Sequence, residues 1–438
     1  MNVDGTGYAV LRTCVKSDVS APQSSLTVVG NKVYGLAQSG GDGGSGGIFM
    51  VNLDGTGYRV IYSFSRAVYG AAGSLALVGD TLYGAARNGG SAGYGAIFQF
   101  NTNGYGFSVV RNLGPNDGAY PSGGLVAVGN TLYGTSAYGG LYGNGTIFQI
   151  NPDGTGYTLL KSFAAGGNEG SAPNTTLLFS GGVFYGTTPY GGLSGGGTVF
   201  QINPDGSGFQ VLKHFAFAEG NSPSSLVVSG NTLYGTTSSG GASDLGTVFR
   251  MDASGQNFGL LWDFSSGGGA NPGGGLALVG GTLYGTTSLG GSAGNGTIFE
   301  VNTDGSSFLV VRHFAGANGD GANPQGGLTI SGNSLYGTTS AGGNLGEVLV
   351  FSLPIFSLAS KPFFLGLAAA QALGFPPGAN PFVVSLDGPA GFAAVLSAST
   401  NLANWVPIAT NQLTGGLSVF MDTDASGYPG RLYRVDVQ

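Results

Sequence analysis

The stretch NPDGTGY occupies residues 151–157, and a near copy, NPDGSGF, occupies residues 203–209. Pro152 presets φ for the second position of a type I turn, and Gly154 suits the left-handed residue that closes a bulged hairpin. The motif therefore predicts a tight turn between two antiparallel strands. Turn chemistry also accounts for its Asp without calcium. The same slot holds NVDG at 2–5, NLDG at 52–55, NTNG at 101–104, DASG at 252–255 and NTDG at 302–305.

A Tyr–Gly pair repeats with the same period. Its tyrosines are Tyr34, Tyr83, Tyr133, Tyr185, Tyr234, Tyr284 and Tyr336. The steps are 49, 50, 52, 49, 50 and 52 residues, and a period near fifty is typical of propeller blades. In the third copy, strand-forming runs at 124–129, 131–136, 145–151 and 156–163 lie between turn residues. We therefore predict an all-β, seven-bladed β-propeller with four-stranded blades.

The two ends of the repeat region complement each other. The chain begins with a fourth-strand segment, NVDGTGYAVLR (2–12), and the repeats end with a third strand, EVLVFSL (347–353). Pairing these two segments would complete the seventh blade and close the ring, which also removes open sheet edges. We expect the propeller to span residues 1–353.

Composition and charge exclude several classes of protein. Only 8% of the 438 residues are charged, and the formal net charge is −7, with no Lys/Arg cluster of the kind that binds nucleic acid. Cys14 is the single cysteine, so a disulfide framework or thiolate metal site is not expected. No stretch predicts a membrane span or a signal peptide. We expect no cofactor and no metal.

The repeat resembles a known family. Seven copies keep, with substitutions, the order of motifs P, L, GNTLYGTTS, a double glycine, GTVF, NxDG and a final Leu and Phe. This order is similar to the Gloeobacter/Verrucomicrobia-type tandem repeat, or GloVer repeat, over residues 2–353. The double glycines also resemble those of kelch propellers. The resemblance implies a β-propeller in exported or cell-surface bacterial proteins, and it implies no catalytic residues. Residues 362–438, after a linker at 354–361, resemble the C-terminal immunoglobulin- or fibronectin-like β-sandwich module of such proteins.

Strand alternation places the double-glycine loops and the blade-to-blade loops on one face, where we expect function to lie. Candidate ligand-binding residues there are Tyr94, Tyr120, Tyr138, Tyr142 and Tyr190. Exposed tyrosines can stack on sugar rings or anchor a protein partner. The alternative is that they only pack the loops together.

Acidic residues precede the loop proline in five blades. They are Asp18, Asp117, Glu169, Glu219 and Asp320. Such a ring could hold a cation or supply paired catalytic carboxylates, but we favour a structural role as caps of backbone N–H groups. Cations hold one repeat position on the outer strand, where charge protects strand edges. They are Arg12, Arg111, Lys161, Lys213 and Arg312.

These features favour a non-catalytic extracellular or cell-surface binding or adhesion scaffold that recognises polysaccharide or a protein partner. One alternative is a carbohydrate-active enzyme, a glycosidase or lyase, that uses carboxylates of the same face. Another is a structural element of a surface layer. The two histidines, His214 and His313, hold the same repeat position two blades apart and so are not expected to share a catalytic or metal site.

Overall fold

The structure, a computed structural model, describes residues 8–14, 18–22, 24–164, 168–317, 320–343 and 348–355, together with the backbone of strands between 363 and 437. Seven antiparallel sheets form a seven-bladed β-propeller, so the predicted fold is confirmed. In blades 1 to 6 the strands pair in chain order, from the first strand at the axis to the fourth at the rim.

The blades have the following strands. Blade 1 contains Val19–Pro22 and Thr27–Val29, then Lys32–Gly40, Gly47–Asn52 and Arg59–Ser63. Blade 2 contains Val68–Val78, Thr81–Gly89, Ala96–Asn101 and Ser108–Asn112. Blade 3 contains Val126–Val128, Thr131–Ser136, Thr146–Ile150 and Thr158–Ser162. Blade 4 contains Leu178–Ser180, Val183–Thr188, Thr198–Ile202 and Gln210–His214, followed by a short 3₁₀ helix, Phe217–Glu219. Blade 5 contains Asn221–Ser229, Thr232–Ser239, Thr247–Asp252 and Gly259–Asp263. Blade 6 contains Ala277–Val279, Thr282–Thr287, Thr297–Asn302 and Phe308–His313.

Blade 7 closes the ring with both ends of the repeat region. Its first three strands are Thr329–Ser331, Ser334–Thr339 and Val348–Pro354, and its fourth is Ala9–Cys14 from the start of the chain. Residues Gly321–Ala322 and Ala341–Gly342 form a further short pair. Val10 pairs with Phe351 and Cys14 with Val348 in antiparallel register. The predicted closure is therefore confirmed.

The Tyr–Gly pair builds the core between blades. In blade 3, Tyr133 is buried and packs against Phe184 of blade 4, with 4.6 Å between ring centroids. The adjacent Gly134 faces its own blade, where a Cβ would lie 2.6 Å from the ring of Phe148 and 2.7 Å from Leu125. The lack of a side chain at Gly134 therefore allows the buried ring of Phe148, on the third strand, to pack against the backbone of the second strand.

The NPDG turn has the predicted conformation. The N–H of Gly154 donates to the carbonyl of Asn151 at 2.9 Å, and Gly154 has a φ of 86°. The carboxylate of Asp153 accepts from the N–H of Thr155 at 2.9 Å and from its hydroxyl at 2.7 Å. The hydrogen bonds from the Thr155 hydroxyl and N–H lower the pKa of Asp153. These contacts account for the Asp within the turn.

One compact unit, the propeller, contains Ala9–Ser331 and Leu335–Ser352, and a second contains the C-terminal strands. The second unit has two three-stranded sheets. One consists of Phe363–Phe364, Phe382–Asp387 and Leu417–Asp422, and the other of Val406–Gln412, Ala393–Ser399 and Leu432–Val437. The connections and the side chains of 356–438 lie outside the described residues, as does most of the 354–361 linker. The sandwich and the domain boundaries therefore stay predictions. Among the described residues, no helix is long and apolar enough to cross a membrane.

Candidate functional site

Hydrogen bonds join the double-glycine loops and the blade-to-blade loops into one continuous surface, here called the loop face. In blade 3, the N–H of Ala119 donates to the carbonyl of Tyr138 at 2.7 Å, and the N–H of Tyr138 donates back at 3.0 Å. The next residue, Tyr120, donates its N–H to Tyr94 of blade 2 at 2.9 Å. Each such loop is therefore tied both to its own blade and to the preceding one.

The residue before the loop proline adopts a left-handed conformation in six blades. These residues are Ala21, Tyr120, Ala172, Ser222, Asn271 and Asn323, with φ between 54° and 57°. Residues other than glycine adopt this backbone conformation at a cost of roughly 1 kcal/mol or more. In blade 2 the equivalent position is Gly70, with a φ of 67°. Tyr120 therefore carries its ring from a left-handed position, whereas at Gly70 a Cβ would lie 2.7 Å from Nδ2 of Asn88.

Three of the five predicted tyrosines form a contiguous cluster. The ring centroids of Tyr94 and Tyr120 are 6.4 Å apart, and those of Tyr120 and Tyr138 are 6.0 Å apart with their planes at 86°. Tyr138 remains 46% exposed and Tyr190 57% exposed, and Tyr190 lines the cavity described next. Tyr142 is also exposed, but it makes no ring contact with any residue that the structure describes. Of the five predicted tyrosines, three therefore lie in one cluster, Tyr190 lies at the cavity, and Tyr142 contacts neither.

A cavity of about 500 Å³, the central cavity, opens on the loop face. All seven blades contribute to its wall, which consists mainly of Ser, Thr, Asn, Gln and Gly. Beneath it the segments before the first strands meet at the axis. The hydroxyl groups of Ser74 in blade 2 and Thr176 in blade 4 lie 3.2 Å apart, and Thr176 also accepts the N–H of Gly124 at 2.9 Å. The cavity therefore offers many neutral hydrogen-bonding groups.

A smaller pocket of about 260 Å³, the side pocket, lies between blades 1, 2 and 3. Its lining residues are Gln38, Gly70, Arg87, Asn88, Tyr120 and Tyr138. Gln38 and Arg87 also line the central cavity, so the two spaces share a wall. Arg87 is exposed, and its guanidinium group forms no hydrogen bond or ion pair with any residue that the structure describes.

Sequence reasoning missed Arg87 and Gln38. Both lie four residues after the tyrosine of the Tyr–Gly pair, where other blades carry Ala137, Pro189 and Ser238. The sequence did carry one signal. The residue type at this position varies between blades, whereas the neighbouring positions of the repeat stay similar. A varying position on a repeated scaffold is where a localised site would show itself.

The five predicted acidic residues lie apart from both cavities, and each forms an ion pair with the cation of its own blade. The distances are 2.9 Å for Arg12–Asp18, 3.0 Å for Arg111–Asp117, 2.8 Å for Lys161–Glu169, 2.8 Å for Lys213–Glu219 and 3.0 Å for Arg312–Asp320. The prediction treated acids and cations as separate features and did not anticipate this pairing. We call each pair a latch, because it ties the fourth strand to the loop that leaves it.

The carboxylates also cap the loop backbone. Asp117 accepts the N–H of Gly114 at 3.1 Å, and Glu169 accepts the N–H of Ala164 at 3.0 Å. Burial alone would raise the pKa of Glu169, but hydrogen bonds from Lys161 and Ala164 outweigh it, so this pKa lies below its usual value. The geometry favours the structural role. Among the described residues, no group of three or more His, Cys, Asp or Glu side chains could hold a metal ion.

Blades 1 and 5 replace the latch with an aromatic stack. Trp262 stands where other blades have the cation, and it stacks on Phe308 of blade 6 at 4.0 Å with parallel rings. Tyr62 of blade 1 likewise stacks on Phe107 of blade 2 at 3.6 Å. In four charged blades an aromatic ring of the next blade lies against the cation instead, as Tyr157 does against Arg111 at 4.0 Å. Cation and acid are thus lost together, as expected for partners in a structural contact.

The two histidines also have structural partners. Nδ1 of His214 accepts the N–H of Leu193 at 3.3 Å, and Nδ1 of His313 accepts the N–H of Ser292 at 3.1 Å. In blade 2, Asn112 accepts the equivalent N–H at 3.2 Å through Oδ1. The histidines therefore serve as acceptors that fix the double-glycine loop, each within its own blade.

Comparison with known proteins supports the fold. The oligogalacturonate lyase of Vibrio parahaemolyticus has a TM-score of 0.54 at 10% identity, over 79% of this chain and 93% of that one. YCF48 from Cyanidioschyzon merolae has a TM-score of 0.49 at 9% identity, over 79% of this chain and 98% of that one. TolB from Acinetobacter baumannii has a TM-score of 0.41 at 13% identity, over 60% and 59%. The likeness to the lyase shows the fold alone.

Sequence comparison identifies the family. A search of curated proteins found no match. The profile of the Gloeobacter/Verrucomicrobia repeat, in contrast, matches residues 1–192, 72–287 and 172–360, which together cover all the blades. The resemblance to kelch propellers stays a prediction. The chain belongs to the Gloeobacter/Verrucomicrobia repeat family.

Proposed function

We propose that this protein is a non-catalytic scaffold that binds polysaccharide through its loop face, outside the cell or at the cell surface. The observation that carries the proposal is a partly exposed aromatic cluster beside a cavity lined by hydroxyl and amide groups. Tyr120 and Tyr138 meet edge to face at 6.0 Å, and both line the side pocket. Sugar rings present an apolar face that stacks on aromatic rings and hydroxyl groups that pair with neutral polar side chains.

The loops that hold these groups are pre-organised. Tyr120 is fixed by its N–H bond to Tyr94, and Tyr138 by two backbone bonds to Ala119. Binding to loops that are already ordered avoids much of the entropy cost of fixing them. This order favours the interpretation that the loops form a recognition surface and not the alternative that they only pack together.

The environment of the carboxylates supports a non-catalytic role. A glycosidase of the usual kind needs two carboxyl groups roughly 5–10 Å apart across the scissile bond. No Asp or Glu is among the described residues that line the central cavity or the side pocket. The five acids that precede the loop prolines are engaged in latches, as Glu219 is with Lys213 at 2.8 Å.

The test is retention of the purified protein on a panel of immobilised polysaccharides, with product analysis of each chain that binds. We expect retention without cleavage, and loss of retention when Tyr120, Tyr138 and Tyr190 are changed to alanine. Tyr142→Ala should have a smaller effect, because this residue lies outside the cavity linings. Tyr105→Ala is the matched control, since Tyr105 is 67% exposed on a hairpin between the third and fourth strands. Cleavage products would contradict the non-catalytic role, and fractionation of the source cells tests the location.

A protein partner is the second candidate. Leu141 is 77% exposed and Leu193 is 69% exposed, both on double-glycine loops of adjacent blades. Exposed leucines beside tyrosines are more typical of a protein interface than of a sugar site. Leu141→Ser with Leu193→Ser should leave polysaccharide retention unchanged if sugar is the ligand. Loss of retention with these two changes would instead place the binding surface on the leucines.

A further inference from the structure

Arg87 is the only charged residue among the described residues that line the central cavity, and it also lines the side pocket. The rest of both walls is neutral. No described residue forms a hydrogen bond or ion pair with its guanidinium group, whereas five other cations of the propeller are held in latches. Arg87 thus presents unused N–H donors where the two spaces meet.

The backbone of blade 2 explains why a pocket exists at this point. Blade 2 lacks the loop proline and has Gly70 where blade 3 has Tyr120. Gly70 lines the side pocket without the ring that blade 3 carries at this position, and its φ of 67° keeps the same left-handed turn. Asn88 and Gln38 add amide groups to the lining of the same pocket. Blade 2 therefore departs from the repeat in two ways that together create the pocket and its charge.

A guanidinium group recognises a carboxylate through two parallel N–H···O bonds. In the side pocket, Tyr120 and Tyr138 supply an aromatic surface next to that group. A sugar ring that stacks on the tyrosines and carries a carboxylate would satisfy both features at once. A neutral sugar would leave Arg87 without a partner.

We propose that the loop face is selective for acidic polysaccharides and that Arg87 binds the carboxylate of a uronic acid residue stacked on Tyr120 and Tyr138. This inference rests on the proposed polysaccharide binding and adds the class of sugar. Loss of one bidentate, charge-assisted contact at a partly desolvated site is expected to weaken binding by about 10- to 100-fold. Binding should also weaken as salt is raised, because it involves an ion pair near the surface.

The experiment compares polyuronates with their neutral counterparts. The probes are alginate, polygalacturonate and hyaluronan, each paired with the same chain after reduction of its carboxyl groups. The variants are Arg87→Gln, which gives blade 2 the residue that blade 1 has as Gln38, and Arg87→Lys, which keeps the charge but not the paired donors. Arg66→Gln is the control, because Arg66 is exposed on a blade-to-blade loop and lines neither space.

The supporting result is that at least one polyuronate binds about 10-fold or more tightly than its reduced form, that Arg87→Gln removes this difference, and that Arg66→Gln does not. Equal binding of acidic and reduced chains, unaffected by Arg87→Gln, would overturn the inference and leave polysaccharide binding intact. Failure of every chain to bind, acidic or neutral, would overturn both. Selectivity for acidic chains that persists in Arg87→Gln would assign the charge recognition to another residue and also overturn the inference.

Discussion

At the scale of single residues, the repeat is maintained at positions where a larger residue does not fit without strain. The clearest case is the glycine after each buried tyrosine. At Gly35, Gly134 and Gly285 alike, a Cβ would fall within 2.6 Å of the phenylalanine of the third strand. Since the interior is close-packed, there is no free volume to absorb an added methyl group. The Tyr–Gly pair is thus a packing motif and not a binding motif.

We predict that Gly134→Ala destabilises the propeller by about 1–3 kcal/mol, because it overpacks the contact with Phe148. The measurement is urea denaturation of the variant and the wild type. Gly281→Ala is the matched control, since its Cβ would have only an ordinary contact at 3.8 Å with Thr303. It should change the free energy of unfolding by no more than about 0.5 kcal/mol. Equal effects of the two changes would show that backbone freedom, and not packing, is the reason for the glycine.

A second prediction at this scale concerns pH. Burial lowers the pKa of His214, and the charge of Lys213 lowers it further. Because this pKa is lower in the folded state than in the unfolded state, where it is near 6.5, the neutral ring makes its full contribution to the free energy of unfolding above about pH 6.5. That contribution is lost as the pH falls through the folded-state pKa. Protonation also removes the Nδ1 acceptor used by Leu193.

The test is the free energy of unfolding of the wild type and of His214→Asn between about pH 7 and about pH 5. Asparagine keeps an acceptor, as Asn112 does in blade 2, and does not titrate. The wild type should therefore lose more stability than the variant as pH falls. Parallel curves for the two proteins would rule out a neutral His214 as the acceptor.

At the scale of elements, neighbouring blades are joined in two interchangeable ways. Four cations lie over an aromatic ring of the next blade: Arg12 on Tyr58, Arg111 on Tyr157, Lys161 on Phe209 and Lys213 on Phe258. Blades 1 and 5 use a direct aromatic stack in the same place. At the rim, therefore, an aromatic ring of one blade packs against a side chain of the adjacent blade, which is either a cation or another aromatic ring.

If the two contacts are interchangeable, replacing a latch with an aromatic stack should preserve stability. Lys213→Ala should destabilise by about 0.5–1 kcal/mol, because the Lys213–Glu219 pair is partly exposed and screened. Glu219→Ala should cost more, since Glu219 also caps the N–H of Ala216 at 3.2 Å. The double change Lys213→Trp with Glu219→Gly should restore stability by stacking on Phe258, as Trp262 does on Phe308 beside Gly268.

Salt provides the control for the graft. High salt should reduce the loss of unfolding free energy in both alanine variants, because salt screens the ion pair. The difference in unfolding free energy between the Trp–Gly protein and Lys213→Ala should change less, because it comes from packing. A Trp–Gly protein less stable than Lys213→Ala would contradict the idea that the two contacts are interchangeable.

The sequence predicted elements well and contacts between elements less well. Strands of blade 3 were expected at 131–136 and 145–151 and are found at Thr131–Ser136 and Thr146–Ile150, because turn residues and β-forming runs are local signals. The latches were missed because each cation and its acid meet only when the chain folds back across a loop. Arg87 was missed because its place at the axis depends on how whole blades are arranged, which no local pattern reports.

At the scale of the whole molecule, closure depends on one short strand. Ala9–Cys14 is the fourth strand of blade 7 and pairs along its length with Val348–Pro354. If it detached, the edge of blade 7 would expose unpaired backbone groups and apolar side chains. All other blades are continuous in sequence, so blade 7 is where the ring should open first.

Cys14 is placed to report that opening. It is 3% exposed, and burial raises the pKa of its thiol to about 11. Because the thiolate is the reactive form, a thiol reagent should label the folded protein very slowly and the unfolded protein readily. We predict that Phe351→Ala, in the strand that pairs with Ala9–Cys14, speeds the labelling of Cys14 strongly.

The matched control is Phe148→Ala, which removes the equivalent fully buried ring from the third strand of blade 3. Both changes should cost about 3–5 kcal/mol of stability. Only Phe351→Ala weakens the closure directly, so its labelling rate should exceed that of Phe148→Ala under conditions where both remain folded. Equal rates in the two variants would mean that Cys14 becomes reactive only when the whole ring unfolds, and that the closing strand is no weaker than the rest of the propeller.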